Sequence, residues 1–219
     1  MRIHFQRDME RLEREILFLG SLLEQATNKA ILALTGRRPD LGEEVIAGDD
    51  EIDRREVQFE EDCLKVLALH QPVAGDLRYL VSAIKVNAML ERMGDLAVNI
   101  AERAVPLAGL DPLPAPPNLR QITAEVREMV KLSLDALVRQ DAALARQVCE
   151  MDDAVDDEHY RIFHELRDMM SADPTTIERG LHFLVAARCL ERIADHAENI
   201  ALDIVFMVEG KVIRHHAEE

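Results

Sequence analysis

The sequence predicts an all-α protein, a duplicated three-helix bundle with six long helices, and three observations carry this prediction. Of its 219 residues, 48% are hydrophobic but only 4% are aromatic, with no Trp and two Tyr. This composition is rich in helix formers and poor in the residues that favour strands. Apolar residues recur at helical spacing between breaks at proline. One motif, described below, occurs once in each half of the chain.

Prolines and polar turns set the limits of the predicted helices. Five of the eight prolines lie in residues 106–117, PLAGLDPLPAPP, where we expect the chain to leave the helix and form a semi-rigid connection. Pro39, Pro72 and Pro174 stand alone in polar segments and mark turns. The predicted helices are 6–35, 41–70 and 74–105 in the first half, then 118–139, 141–171 and 175–209 in the second.

Four of these helices show a single apolar stripe at helical spacing. In the first helix it comprises Met9, Leu12, Ile16, Leu19, Leu23, Ala26, Ala30 and Leu34. In the third it comprises Leu77, Leu80, Val81, Ile84, Ala88, Leu90, Gly94, Ala97 and Ala101. The fourth has Val126, Met129, Val130, Leu134, Leu137 and Val138, and the sixth has Leu181, Leu184, Val185, Leu190, Ile193, Ala197, Ile200 and Ile204. Each such helix is expected to bury one face.

The two halves repeat one another. Residues 90–102, LERMGDLAVNIAE, match residues 190–202, LERIADHAENIAL, at eight of thirteen positions with a constant offset of 100. Upstream, Asp-Asp-x-Ile-Asp at 49–53 matches Asp-Asp-x-Val-Asp at 152–156 with an offset of 103. We therefore predict a first three-helix repeat at 1–105, a linker at 106–117 and a second repeat at 118–219. Gly48 and Met151 mark positions where the second helix of each repeat is open to a bend or restart.

Charge and cysteine content limit the classes of function. The chain has 26 Lys and Arg against 42 Asp and Glu, a formal net charge of −16, which argues against binding nucleic acid or an anionic membrane surface. No run approaches the roughly 18 apolar residues of a membrane-spanning helix, and no signal peptide is recognisable. Cys63, Cys149 and Cys189 lack metal or redox spacing and are expected to be free core thiols. These features predict a cytoplasmic protein.

Each repeat carries two pairs of acids at i, i+4 spacing, which places both members of a pair on one helix face. The pairs are Asp49 with Asp53 and Glu91 with Asp95 in the first repeat, and Asp152 with Asp156 and Glu191 with Asp195 in the second. If the second and third helices are antiparallel around the turn at Pro72, Asp53 faces residue 92 and Asp49 faces residue 96. Both then lie within about one helical turn of Glu91 and Asp95. The same construction in the second repeat sets Asp156 beside Glu191 and Asp152 beside Asp195. The sequence thus predicts two converging groups of four carboxylates.

Such convergence is repulsive unless a positive charge offsets it. Arg92 and Arg192 could pair the acids internally, and a hard or borderline metal cation could bind their oxygens. Carboxylates that face inward from adjacent helices are the ligands of metal sites in helical bundles, and His196 is the best placed histidine for such a site. The predicted metal ligands are Asp49, Asp53, Glu91, Asp95, Asp152, Asp156, Glu191 and Asp195. The metal could be iron, zinc, manganese or magnesium.

Two other interpretations remain open at this point. The acids could hold Mg²⁺ or Mn²⁺ in an all-α hydrolase of phosphate esters or nucleotides. However, helical pyrophosphatases use ExxE and ExxD spacing, and the acid stripes here offer few groups to hold a substrate. No phosphate-binding glycine loop and no GxSxG motif is present, so no catalytic residue is predicted. Alternatively, the acids are a solvated surface that binds no metal.

The repeated motifs, the opening IHFQRDMERLEREILFLG and the closing FMVEGKVIRHH resemble the PhoU family of phosphate-uptake regulators over essentially the whole chain. The resemblance implies two antiparallel three-helix bundles and metal clusters at Glu/Asp-xxx-Asp motifs, which correspond here to Glu91, Asp95, Glu191 and Asp195. It further implies a non-catalytic homodimer at the inner face of the membrane. Its implied partners are the ATPase of the phosphate ABC transporter and the phosphate-sensing histidine kinase, both restrained when phosphate is plentiful.

The second motif departs from the family pattern at one position. Where NIAED is common in the family, this sequence has Asn199-Ile-Ala-Leu202-Asp203. If the missing acid is a ligand in relatives, the second site has one oxygen fewer. We expect Asp203, the next residue, to compensate.

Overall fold

The computed structural model describes residues 2–212, and over that range the chain contains helices and no strand. The helices are α1 (Arg2–Gly36), α2 (Pro39–His70), α3 (Ala74–Gly109), α4 (Leu119–Arg139), α5 (Ala142–Cys149), α6 (Asp152–Ala172) and α7 (Ile177–Glu209), with a 3₁₀ turn at Pro174–Thr176. Because α5 and α6 together occupy the place of one helix, the prediction of six long helices is confirmed. The end of the FMVEGKVIRHH motif, from residue 213, lies outside the described residues.

The helices form two three-helix bundles that share one long contact. The first bundle consists of α1, α2 and α3, and the second of α4, α5 with α6, and α7. Helices α3 and α7 pack against each other along their length, and α1 contacts α4. Lys85 of α3 meets Asp203 of α7, and Arg78, earlier on α3, meets the carbonyl oxygen of Met207, later on α7, so these two helices are antiparallel.

Most members of the predicted apolar stripes form the core, but Leu77, Val81, Val138, Leu181 and Val185 are exposed. Side chains that are at most 2% exposed include Leu12, Ile16, Leu19 and Leu23 on α1, Leu80, Leu90, Met93 and Ile100 on α3, and Ile122 and Met129 on α4. Their spacing of three or four residues turns one face of each helix inward. Cys63 and Cys189 are buried and Cys149 is half-buried, all as free thiols. None of the helices in residues 2–212 combines the length and apolar character that crossing a membrane requires.

Helix α3 extends past the predicted end at residue 105 and carries Pro106 inside it. A proline near the end of a helix removes one backbone hydrogen bond, and here Leu107 is buried immediately after it. The Arg37 guanidinium also donates hydrogen bonds to the carbonyl oxygens of Ala108 and Leu110, at 2.9 and 2.6 Å. These contacts satisfy carbonyls that the helix end leaves open, so the extended connection begins only after Leu110.

The second helix of each repeat behaves differently at the equivalent positions Gly48 and Met151. Helix α2 runs through Gly48 without interruption, whereas the second repeat breaks between α5 and α6, at Glu150 and Met151. The predicted restart is therefore found at Met151, while no break occurs at Gly48.

We expect Gly48→Ala to raise the free energy of unfolding of metal-free protein by about 0.5–1 kcal/mol, because alanine loses less backbone entropy in a helix. A Cβ at Gly48 would meet nothing within 4 Å. Gly42→Ala is the matched control, since its Cβ would lie 2.7 Å from Val105 Cγ2 and should destabilise the fold. Urea unfolding followed by circular dichroism measures both changes, and equal effects of the two substitutions would contradict this account.

Candidate metal centres

Three carboxylates of the first repeat converge between α2 and α3. Asp49 and Asp53 come from successive turns of α2 and Asp95 comes from α3, and each places an oxygen within 4.8 Å of the others. Asp49 is half-buried, while Asp53 and Asp95 are exposed. Helix α3 packs on α2 at Gly94, where a Cβ would make an ordinary van der Waals contact with the side chain of Ile52, at 3.4 Å. The predicted antiparallel packing therefore brings acids from both helices together.

The second repeat assembles a corresponding group between α6 and α7. Asp156 on α6 and both Glu191 and Asp195 on α7 place oxygens within 4.8 Å of one another. Glu191 is buried, and one of its oxygens accepts a hydrogen bond from the Arg188 guanidinium. Ala88 occupies the position of Arg188 in the first repeat. Arg188 thus fixes a carboxylate in the second site that has no such support in the first.

Both sites hold carboxylates in surroundings that disfavour negative charge. Burial, followed by the charges of neighbouring acids, raises the pKa of Asp49 and of Glu91 in the first repeat. In the second repeat, burial raises the pKa of Glu191 and of Asp195, with the neighbouring Asp156 and other acids adding to it. Without a cation, therefore, each cluster is electrostatically unfavourable at neutral pH.

The donor atoms of both sites fit a bound cation. Asp49 Oδ1 and Glu191 Oε2 are buried without a hydrogen-bond partner among the described residues. A buried carboxylate oxygen without a partner is costly, and a metal ion would satisfy it. Carboxylate oxygens from adjacent helices are suitable ligands for Mg²⁺, Mn²⁺, Ca²⁺, iron and zinc.

Two of the eight predicted ligands lie outside these close groups of three. Glu91 is half-buried, and its charged neighbours are three acids, Asp95, Asp53 and Glu56, and one base, Arg92, which opposes them. Asp152 is also half-buried, and burial together with the charge of Glu198 raises its pKa to about 7. Both residues lie beside their clusters, so the acidic region of each repeat extends beyond its group of three carboxylates.

The sequence-based prediction omitted Glu56 and His159 and left Glu198 out of the predicted ligands. Glu56 continues the face of Asp49 and Asp53 one turn further, and Asn87 on α3 donates a hydrogen bond to it at 3.3 Å. Glu198 lies on α7, where its negative charge adds to the burial that raises the pKa of Asp152. The i, i+4, i+7 spacing from Asp49 and from Asp152 is the signal that could have identified Glu56 and His159.

His196, which the sequence indicates as the best placed histidine for a metal site, lies in different surroundings from the clustered carboxylates. Burial and the positive charges of Arg92 and Arg192 lower its pKa, while Asp195 opposes them. His196 is therefore adjacent to two arginines and is absent from the close carboxylate group. Among the described residues, Arg188 forms an ion pair with the predicted ligand Glu191. Arg92 and Arg192, which could have paired the acids, form no ion pair with a predicted ligand in that part of the chain.

The expectation that Asp203 compensates for Leu202 was wrong. Asp203 is 2% exposed and accepts a hydrogen bond from Lys85 Nζ of α3 at 3.2 Å. Helical geometry explains this placement, since residue 202 is nearly in line with Asp195 whereas residue 203 is rotated from it by about 80°. Asp203 therefore connects the two repeats and does not join the second cluster.

Together these features define a duplicated helical bundle with a candidate carboxylate cation site in each repeat. The chain belongs to the PhoU family. A family model described as "PhoU domain" matches twice, over residues 16–104 and 119–204, which agrees with the duplication.

Relatives match over nearly the whole chain. A protein of Aquifex aeolicus described as "Phosphate-specific transport system accessory protein PhoU homolog" is 41% identical over 209 residues, covering 95% of each chain. The crystal structure of PhoU from Pseudomonas aeruginosa is 38% identical with a TM-score of 0.92, covering 94% of this chain and 100% of that one. The phosphate transport system regulatory protein PhoU from Streptococcus pneumoniae is 29% identical with a TM-score of 0.87, covering 95% and 98%.

Proposed function

We propose that this protein is a regulatory adaptor of phosphate uptake and phosphate-starvation signalling. The observation that carries the proposal is the match of both halves to the PhoU domain. Full-length relatives are described as accessory proteins of the phosphate-specific transport system, and the Streptococcus pneumoniae structure as a regulatory protein of phosphate transport. These descriptions name accessory and regulatory roles and do not name an enzyme.

In this role the protein restrains two partners when phosphate is plentiful, the ATPase of the phosphate ABC transporter and the phosphate-sensing histidine kinase. It acts as a homodimer in the cytoplasm and reaches the inner membrane through these partners. The long contact between α3 and α7, with its Lys85–Asp203 ion pair, supports this role because it holds the two repeats in one orientation for binding.

Each repeat binds a metal cation through its carboxylate cluster. The buried, unpartnered oxygens of Asp49 and Glu191 support this. A bound cation would supply positive charge that holds the acids of α2 against those of α3, and the acids of α6 against those of α7. Among the chain's own residues, Arg188 orients the ligand Glu191 through its hydrogen bond. We therefore assign the metal a structural role that keeps the helices in register.

Deletion of the gene in the source organism tests the regulatory role. We expect phosphate-starvation genes to be expressed at high phosphate, because the restraint on the sensor kinase is lost. A reporter fused to a phosphate-starvation promoter measures this, and wild-type protein supplied in trans should restore repression. The variant Asp157→Asn, altered at an exposed acid beside the second cluster, is a control that should also restore it. Unchanged reporter expression after deletion would contradict the proposed role.

A further inference from the structure

We propose that the groove at the junction of the two repeats binds a short acidic segment of a partner protein, with two carboxylates about 10 Å apart and an apolar side chain between them. This junction groove is formed by the end of α1, the linker and the start of α4. The inference rests on the proposed adaptor role and adds a surface by which a partner is bound.

Three segments from both repeats form the junction groove. Leu32 and Thr35 line it from α1, and Pro116 and Pro117 line it from the linker. The third wall is the start of α4. The groove has a volume of about 650 Å³, which is in the range of sites that enclose a small ligand or a few side chains. Because proline fixes the backbone φ angle, the linker wall is rigid before a partner binds.

The charge of the junction groove comes from two arginines. Arg120, Thr123, Ala124 and Arg127 have i, i+3, i+4, i+7 spacing, which is one face of α4, and all four line the groove. The two arginines are the charged residues among its described lining. Within residues 2–212 neither is close enough to an acid to form an ion pair.

Unpaired arginines that share a groove are unusual in this chain, because it has 42 acids against 26 Lys and Arg. A groove whose charge is positive complements an acidic partner. The net charge of −16 repels a long polyanion beyond the groove, so a segment with two acids fits better than a nucleic acid does.

The geometry of α4 sets the spacing that a partner must match. Seven residues of helix separate Arg120 from Arg127, which is about 10 Å along the axis. Arg127 is half-buried, and its guanidinium donates a long hydrogen bond to the carbonyl oxygen of Asn28 on α1, at 3.5 Å. Leu32 is 46% exposed and offers apolar surface in the same groove. A matching helix therefore has acids at i and i+7 and an apolar residue at i+4.

Fluorescence anisotropy with the full-length protein tests the inference. The probe is a labelled helical peptide of alanine and glutamine with Glu at i and i+7 and Leu at i+4, and a matched peptide has Gln in place of both Glu. We expect the acidic peptide to bind at least about tenfold more tightly than the matched one, because charge-assisted contacts are the stronger ones.

Charge reversal provides the matched variants. Arg120 is exposed, so Arg120→Glu should fold normally and should weaken binding of the acidic peptide by at least about tenfold. Arg14→Glu makes the same change at an exposed arginine of α1 outside the groove and should leave the Kd within about twofold. Equal affinity for the two peptides, no binding at about 1 mM, or equal effects of the two variants would overturn the inference. Full displacement of the peptide by succinate would assign the groove to a small anion and would overturn it as well.

The reporter strain separates failure of this inference from failure of the proposed function. In the deletion strain, Arg120→Glu should not restore repression at high phosphate, whereas Arg14→Glu should restore it. If deletion changes expression and Arg120→Glu restores full repression, the inference about the groove is wrong and the regulatory role stands. If deletion leaves expression unchanged, the regulatory role itself is contradicted, and the peptide measurement still decides whether the groove binds an acidic segment.

Discussion

Metal-free protein is expected to gain about 2.7 kcal/mol of unfolding free energy for each site that is filled when Mn²⁺ is added at a hundred times its Kd. The physical reason is that a cation binds the assembled clusters of Asp49, Asp53 and Asp95 and of Asp156, Glu191 and Asp195, and the unfolded chain has no such cluster. Urea unfolding by circular dichroism, with and without the metal, measures the gain.

Variants make this expectation specific. Asp195→Asn should lose the share of the gain that belongs to the second site. Without metal, however, this variant should be at least as stable as the wild type, because it removes a carboxylate whose pKa is raised by burial and by Asp156. Asp157→Asn changes a neighbouring acid whose side chain is 76% exposed and should keep the full gain. If metal addition stabilised Asp195→Asn as much as the wild type, the cluster would not be the binding site.

The second large effect concerns the pH dependence of metal-free protein. Asp152 has a folded-state pKa of about 7, against about 4 in an unfolded chain. Between these two values the folded state binds more protons than the unfolded state, so this group makes the free energy of unfolding fall as pH rises from about 4 to 7. After allowance for solvent screening, the expected loss is about 1–2 kcal/mol. Urea unfolding at a series of pH values measures it.

Asp152→Asn should remove this part of the pH dependence and should be more stable than the wild type above pH 7. Saturating metal should weaken the effect in the wild type as well, because a cation stabilises the ionised carboxylate. Asp157→Asn serves as the control and should retain the wild-type profile. A profile for Asp152→Asn that matches the wild type at every pH would contradict the assignment to Asp152.

The positions of the helices, and the convergence of the acids between them, can be predicted from local patterns in the sequence. Spacing of i, i+4 sets Asp49 above Asp53, and a short turn at Pro72 forces α2 and α3 to be antiparallel. The register of the two helices then follows from the length of the turn alone, which is why Asp95 could be expected opposite that pair. The duplication supplied a second, independent instance of the same arrangement.

The features that the sequence did not predict depend on contacts between distant segments. Asp203 is paired with Lys85, 118 residues away and in the other repeat, and no local pattern indicates which helix faces that aspartate. Helix α3 continues through Pro106, and Arg37, from the end of α1, binds the carbonyl oxygens of Ala108 and Leu110 beyond it. His196 adjoins arginines instead of the close acid cluster, because the packing of α3 on α7 decides which side of α7 faces α6.

The most direct test of the account is elemental analysis of metal bound to the full-length protein, purified without an affinity tag. We expect at least one metal ion for each of the two sites, with Asp95→Asn and Asp195→Asn each losing the share of its own repeat. Less than one metal ion per chain, together with metal-independent stability in the wild type and in both variants, would contradict it.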